Sequence, residues 1–137
     1  MKHLLIITYL LMSCQTELAT PTLPVSVVTI DFTGITPTRQ GVFVGVNHTA
    51  SGKVMIYEKS GKKYIVFDPY SSDNGPDLKV YLSKDEHATE YIRIGPLLSV
   101  TGRQTYEILG NPELALYPFV HVWCEKFSVE FARAALK

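Results

Sequence analysis

The chain has 137 residues, of which 46% are hydrophobic and 19% charged, so it is long enough and apolar enough for one folded domain and unlike a disordered tail. Thirteen basic side chains balance thirteen acidic ones. Without a positive field to hold phosphate backbones, a dedicated nucleic-acid binder is excluded. The single apolar run at the start is far shorter than the ~20 residues of a spanning helix.

That first run has its own logic. Met1-Lys2-His3 precede an apolar stretch from Leu4 to Met12, which ends in Leu11-Met12-Ser13-Cys14. A basic start, a short greasy segment and small residues before a cut describe a secretory signal. The tetrad resembles a bacterial lipobox, with Leu11 and Ser13 before the cut and Cys14 as the new N-terminus. That resemblance implies residues 1–13 as signal peptide and Cys14 as the lipidated residue. Acyl chains contribute about 0.8 kcal/mol per buried methylene, so several of them hold a protein stably on a membrane. Residues 14–24 are rich in Thr and Pro and read as a tether. Gln15 and Thr16 include no Asp to retain the protein at the inner membrane, which favours an outer-membrane location in the bacterial cell envelope.

Residues 25–137 read as one β domain. Residues 25–32 are rich in β-branched side chains and predict a strand, followed by Val42-Phe43-Val44 after Gly41. Residues 53–58 place Val54 and Ile56 on one face. Residues 64–67 form a short apolar run, and residues 77–82 alternate with Leu78, Val80 and Leu82 on one side. Residues 91–94, 105–109, 119–124 and 127–131 complete the set, leaving 132–137 as a helical turn or a continued strand. Ser51-Gly52, Ser60-Gly61, Gly75-Pro76, Gly95-Pro96 and Gly110-Asn111-Pro112 supply the breaks. About eight to ten short strands with such turns predict an all-β, antiparallel β-sandwich of jelly-roll or Greek-key type.

Several separated motifs then align. They are His48-Thr49-Ala50-Ser51-Gly52, the run from Gly75-Pro76-Asp77-Leu78 to Ser83, Ile94-Gly95-Pro96-Leu97, Gly102-Arg103-Gln104-Thr105-Tyr106, and Val120-His121-Val122-Trp123-Cys124-Glu125-Lys126-Phe127 continuing to Ala132. In this order they resemble the DM-thirteen (DM13) domain over roughly residues 41–136. Pro96 and Leu109-Gly110 depart from the family pattern only in loops. The resemblance implies a β-rich extracellular domain with a redox or electron-transfer role centred on a cysteine, which maps to Cys124.

The residues themselves leave two readings of Cys124. Period two places it with Val120 and Val122, opposite Phe119, His121 and Trp123. Beside two valines it reads as core, where a thiol behaves as a small, inert hydrophobe. The functional reading makes it a redox thiol with Trp123 as its neighbour, and needs exposure or a cation such as Lys126 or Arg133 to favour thiolate. Lipidation of Cys14 excludes a disulfide between the two cysteines, so any thiol exchange needs an external partner.

His121 and His48 are weak candidates for haem ligation, as is Met55, and there is no Cys-x-x-Cys-His attachment motif. The histidines lack metal-site spacing, so no metal is assigned. His48 fits a loop hydrogen bond better. Asp68, Asp73, Asn74 and Asp77 offer oxygens for calcium but are also what a tight turn requires. Hydrolytic motifs and phosphate loops are missing. Tyr57, Tyr64, Tyr81, Tyr91 and Tyr106 alternate with apolar residues, as packing or as a ligand platform. The sequence therefore predicts a membrane-anchored redox accessory, without a firm enzyme assignment, working with an envelope partner. Its rival is a non-catalytic module binding a protein or glycan, with Cys124 as packing.

Overall fold

The structure, a computed structural model, describes residues 29–137. Signal peptide, Cys14 and tether lie outside the described residues. Eight strands follow in order: β1 Arg39–Gly45, β2 Ala50–Lys59, β3 Lys62–Ser72, β4 Leu78–Ser83, β5 Tyr91–Pro96, β6 Gln104–Ile108, β7 Phe119–Cys124 and β8 Val129–Ala135. One 3-10 turn, Leu114–Leu116, is the only helical element among the described residues. No helix among them is long and apolar enough to cross a membrane.

Every strand pair is antiparallel, in the order β5-β4-β7-β8-β1-β2-β3-β6. The all-β class is as expected, with one difference in arrangement. The layers are not two separate sheets but one sheet folded on itself. β1 is the join: Arg39 to Val42 pair with β2, and Phe43 to Gly45 pair with β8. The free edges also approach each other. The Tyr106 phenol on β6 accepts the backbone N–H of Leu98, just past β5, at 3.0 Å.

Period-two alternation decides what lies inside. Val54 and Ile56 of β2, Ile65 and Phe67 of β3, Leu78, Val80 and Leu82 of β4, and Val120, Val122 and Cys124 of β7 fill one core. Each large apolar side chain buried there contributes about 1.5–3 kcal/mol. A smaller cluster lies outside the sheet, where Phe32 covers Tyr64 and Val66.

Two boundaries differ from expectation. Residues 25–28 lie outside the described residues, and residues 29–32 are not strand. Phe32 instead stacks on Tyr57, with centroids 4.5 Å apart, and meets Tyr64 edge-on. Its apolar surface is used as a cover for the outer side of β2 and β3. At the other end, Ala132 to Ala135 continue β8, because this segment has partners on both sides, in β7 and β1.

Candidate functional site

β7 carries the Trp-Cys motif through the middle of the sheet, so its two faces separate the candidates cleanly. Cys124 points inward. It is 0% exposed and stands across from Leu78 of β4 and Val129 of β8. The two cations considered for it are elsewhere. Lys126 is exposed with its ammonium 5.6 Å from the Phe127 ring centre. Arg133 lies on the outer face and binds Glu86.

His121 and Trp123 point outward, as the alternation predicts, yet His121 is fully buried. The segment from Lys84 to Glu90 is a turn closed by the Lys84 N–H on the Glu90 carbonyl, and Ser83 Oγ joins its Asp85 carbonyl to the His121 ring. Asp85 organises this loop: its carboxylate accepts the backbone N–H groups of His87, Thr89 and Glu90 and the Thr89 hydroxyl. Those bonds, the Glu90 amide first, hold the Asp85 carboxyl well below the usual carboxylate range. Arg133 clamps the loop from outside through the Glu86 carbonyl at 2.7 Å.

Beneath the loop, His121 Nε2 lies 2.6 Å from Ser83 Oγ, and Nδ1 lies 2.6 Å from Glu130 Oε1. The distances are those of a Ser-His-Glu triad, but the polarity is reversed. The Ser83 hydroxyl donates to the Asp85 carbonyl at 2.6 Å. Its oxygen must therefore accept from Nε2–H, so Nε2 has no lone pair with which to act as base. The same Glu130 oxygen lies 3.9 Å from the Arg133 Nε, so the carboxylate faces both the imidazole and a guanidinium. Three polar groups are satisfied under the loop, and no nucleophile is presented. Both ring nitrogens of His121 lie within hydrogen-bond distance of a protein partner.

A second cluster lies further along the same face. The Tyr81 phenol donates to Glu125 Oε1 at 2.7 Å, and Arg93 Nε donates to the same oxygen at 2.7 Å. The Tyr81 ring stacks on Tyr91, with centroids 4.2 Å apart, and lies nearly parallel to Trp123 at 6.3 Å. Tyr81 is only 4% exposed, while Tyr91 is 49% exposed. The Arg93 guanidinium is the main cause holding the Glu125 carboxyl below its usual value. Burial, then the bond to Glu125, pushes the Tyr81 phenol well above the usual tyrosine range.

His48 sits apart from both clusters. Its ring stacks on Phe131 at 3.6 Å, and Nδ1 meets Asp73 Oδ2 at 3.4 Å. The acidic loop behaves as a turn: Asp73 also accepts the Thr49 amide, Asn74 the Gly75 amide, Asp68 pairs with Arg103, and Asp77 with Lys79. Among the described residues no group of three or more His, Cys, Asp or Glu side chains is placed to hold a metal.

With this geometry in view, comparison with known families is decisive. The model of a family described as electron transfer DM13 matches residues 42–136. The chain belongs to that family. The match takes in β2 to β8 and most of β1, together with Cys124, Trp123 and the Tyr81 cluster. Searches of curated proteins and of solved structures gave no match. The DM13 match supports an electron-transfer role. The pairings Ser83–His121–Glu130 and Tyr81–Glu125–Arg93 were not legible as sites in the sequence, because partners up to 44 residues apart meet only through strand register.

Proposed function

We propose that this protein is a lipid-anchored component of a bacterial cell envelope, favouring the outer membrane, whose DM13 domain exchanges single electrons with an envelope partner. The observation that carries the reading is the electron-transfer family match over nearly the whole described domain. The lipobox-like Leu11-Met12-Ser13-Cys14 supports the anchor. Within this reading Cys124 supplies packing. An external thiol or disulfide has no path to a sulfur that is 0% exposed, so a mixed disulfide requires the β7–β8 hairpin to open first.

The test uses the full chain isolated from membranes of its own host and titrated with a graded series of one-electron mediators. Uptake or release of electrons by the protein is expected, and a silent protein across the series would overturn the electron-transfer reading. The visible absorbance of the same preparation reports any bound haem. Cys124→Ala is expected to retain the electron exchange while losing about 1–2 kcal/mol of stability to the small cavity it leaves, read by urea unfolding. Cys14→Ser is expected to move the protein from the membrane fraction to the soluble fraction and to abolish incorporation of labelled fatty acid. Persistence of both would remove the anchor from the proposal.

A further inference from the structure

We infer that Tyr81 is a redox-active side chain of this domain, oxidised by one electron with Glu125 as the acceptor of its proton. The inference rests on the electron-transfer reading above and adds to it the group that carries the charge. A phenol loses its proton when it loses an electron, because the radical cation is a very strong acid. A base already in hydrogen-bond contact therefore makes the oxidation feasible. Tyr81 has such a base, with its Oη donating to Glu125 Oε1 at 2.7 Å. Among the described residues, the other phenols with an acceptor do not. Tyr57 points to the Met55 sulfur, and Tyr106 to the Gln104 amide oxygen. Neither acceptor takes up a proton at neutral pH.

The surroundings fit the same chemistry. Tyr81 is covered, so its radical is shielded from solvent. The half-exposed Tyr91, stacked on it at 4.2 Å, offers a place for a partner to dock within short range of the phenol. Trp123 lies nearly parallel on the same face. Arg93 bonds both Glu125 oxygens, which fixes the carboxylate in position and keeps it ionised until the proton arrives.

A strong one-electron oxidant docked at Tyr91, of the ferryl-haem class, takes one electron from the Tyr81 ring. The Tyr81 O–H bond breaks, an O–H bond forms on Glu125, and a neutral tyrosyl radical and a carboxylic acid result. Reduction by one electron returns the proton along the same bond.

The test is flash-quench oxidation of the full chain with photogenerated ruthenium(III) tris-bipyridine, followed by electron paramagnetic resonance. The parent is expected to give a neutral tyrosyl signal, which Tyr81→Phe removes. Phenylalanine preserves the stacking on Tyr91, so this variant keeps the fold, checked by near-ultraviolet circular dichroism. Glu125→Gln is expected to slow radical formation about a hundredfold and to abolish its slowing in deuterated water, as loss of a positioned base requires. A full-strength tyrosyl signal in Tyr81→Phe, or no signal in the parent, would overturn the inference. Either result leaves the mediator titration of the parent unaffected, so failure of this assignment is distinguishable from failure of the electron-transfer reading.

Discussion

Replacing His121 with alanine is expected to cost about 3–5 kcal/mol of folding stability, the range for breaking a buried pair from one side. The imidazole occupies the centre of a sealed polar cluster, bonded on one side to Ser83 and on the other to Glu130, both buried. Alanine leaves the buried Glu130 carboxylate with only the Arg133 guanidinium, 3.9 Å away, and the Ser83 oxygen without the imidazole. The loss is expected in urea unfolding as a lower midpoint with an unchanged slope. The double change His121→Phe with Glu130→Leu is expected to recover most of it, because removing both members of a buried pair abolishes the desolvation penalty. A variant His121→Ala as stable as the parent would show that the loop admits water to this cluster.

Gly52→Ala is expected to cost at least about 3 kcal/mol, through forbidden backbone geometry and a contact that cannot relax. Gly52 has φ +127°, a region that residues with a Cβ rarely enter. A Cβ there would stand 2.2 Å from the Pro69 carbonyl oxygen and 2.9 Å from the Tyr70 Cα, and both are backbone atoms. The position lies at the bulge where β2 shifts register against β3, so the strands are held at this approach by pairing on both sides. Gly61 supplies the control. It also has positive φ, at +74°, but open space where a Cβ would go. Gly61→Ala is expected to cost only about 1–2 kcal/mol. Thermal unfolding of the two variants side by side separates strain alone from strain with a clash.

The difference between what the sequence reveals and what it conceals follows from the range of the interactions. Leu78, Val80 and Leu82, like Val120, Val122 and Cys124, are assigned to the core by alternation alone, because side-chain direction in a strand is a local property. The same rule places His121 and Trp123 on the opposite face. It gives no sign that the loop around Asp85 seals His121, since loop closure is a tertiary event. Residues 29–32 carry the composition of a strand but serve as a cover for Tyr57 and Tyr64, a use that composition does not distinguish. Continuity of the sheet through β1 is hidden for a similar reason: one strand pairs on both edges, over different halves of its length. Alternation places Tyr81 opposite Leu78, Val80 and Leu82, and only the pairing of β4 with β7 brings its phenol to the Glu125 carboxylate.

The placement of Cys124 in the packed core, on the opposite side of the sheet from the Tyr81–Glu125 pair, is the claim on which the function turns, and the sulfur tests it. The measurement is the rate at which an aromatic disulfide reagent labels Cys124 in the full chain carrying Cys14→Ser, with and without denaturant. Native protein is expected to label only as fast as it unfolds, with rapid reaction appearing once denaturant opens the core. Prompt, complete labelling of the folded protein would contradict it and return the cysteine to the centre of the electron-transfer chemistry.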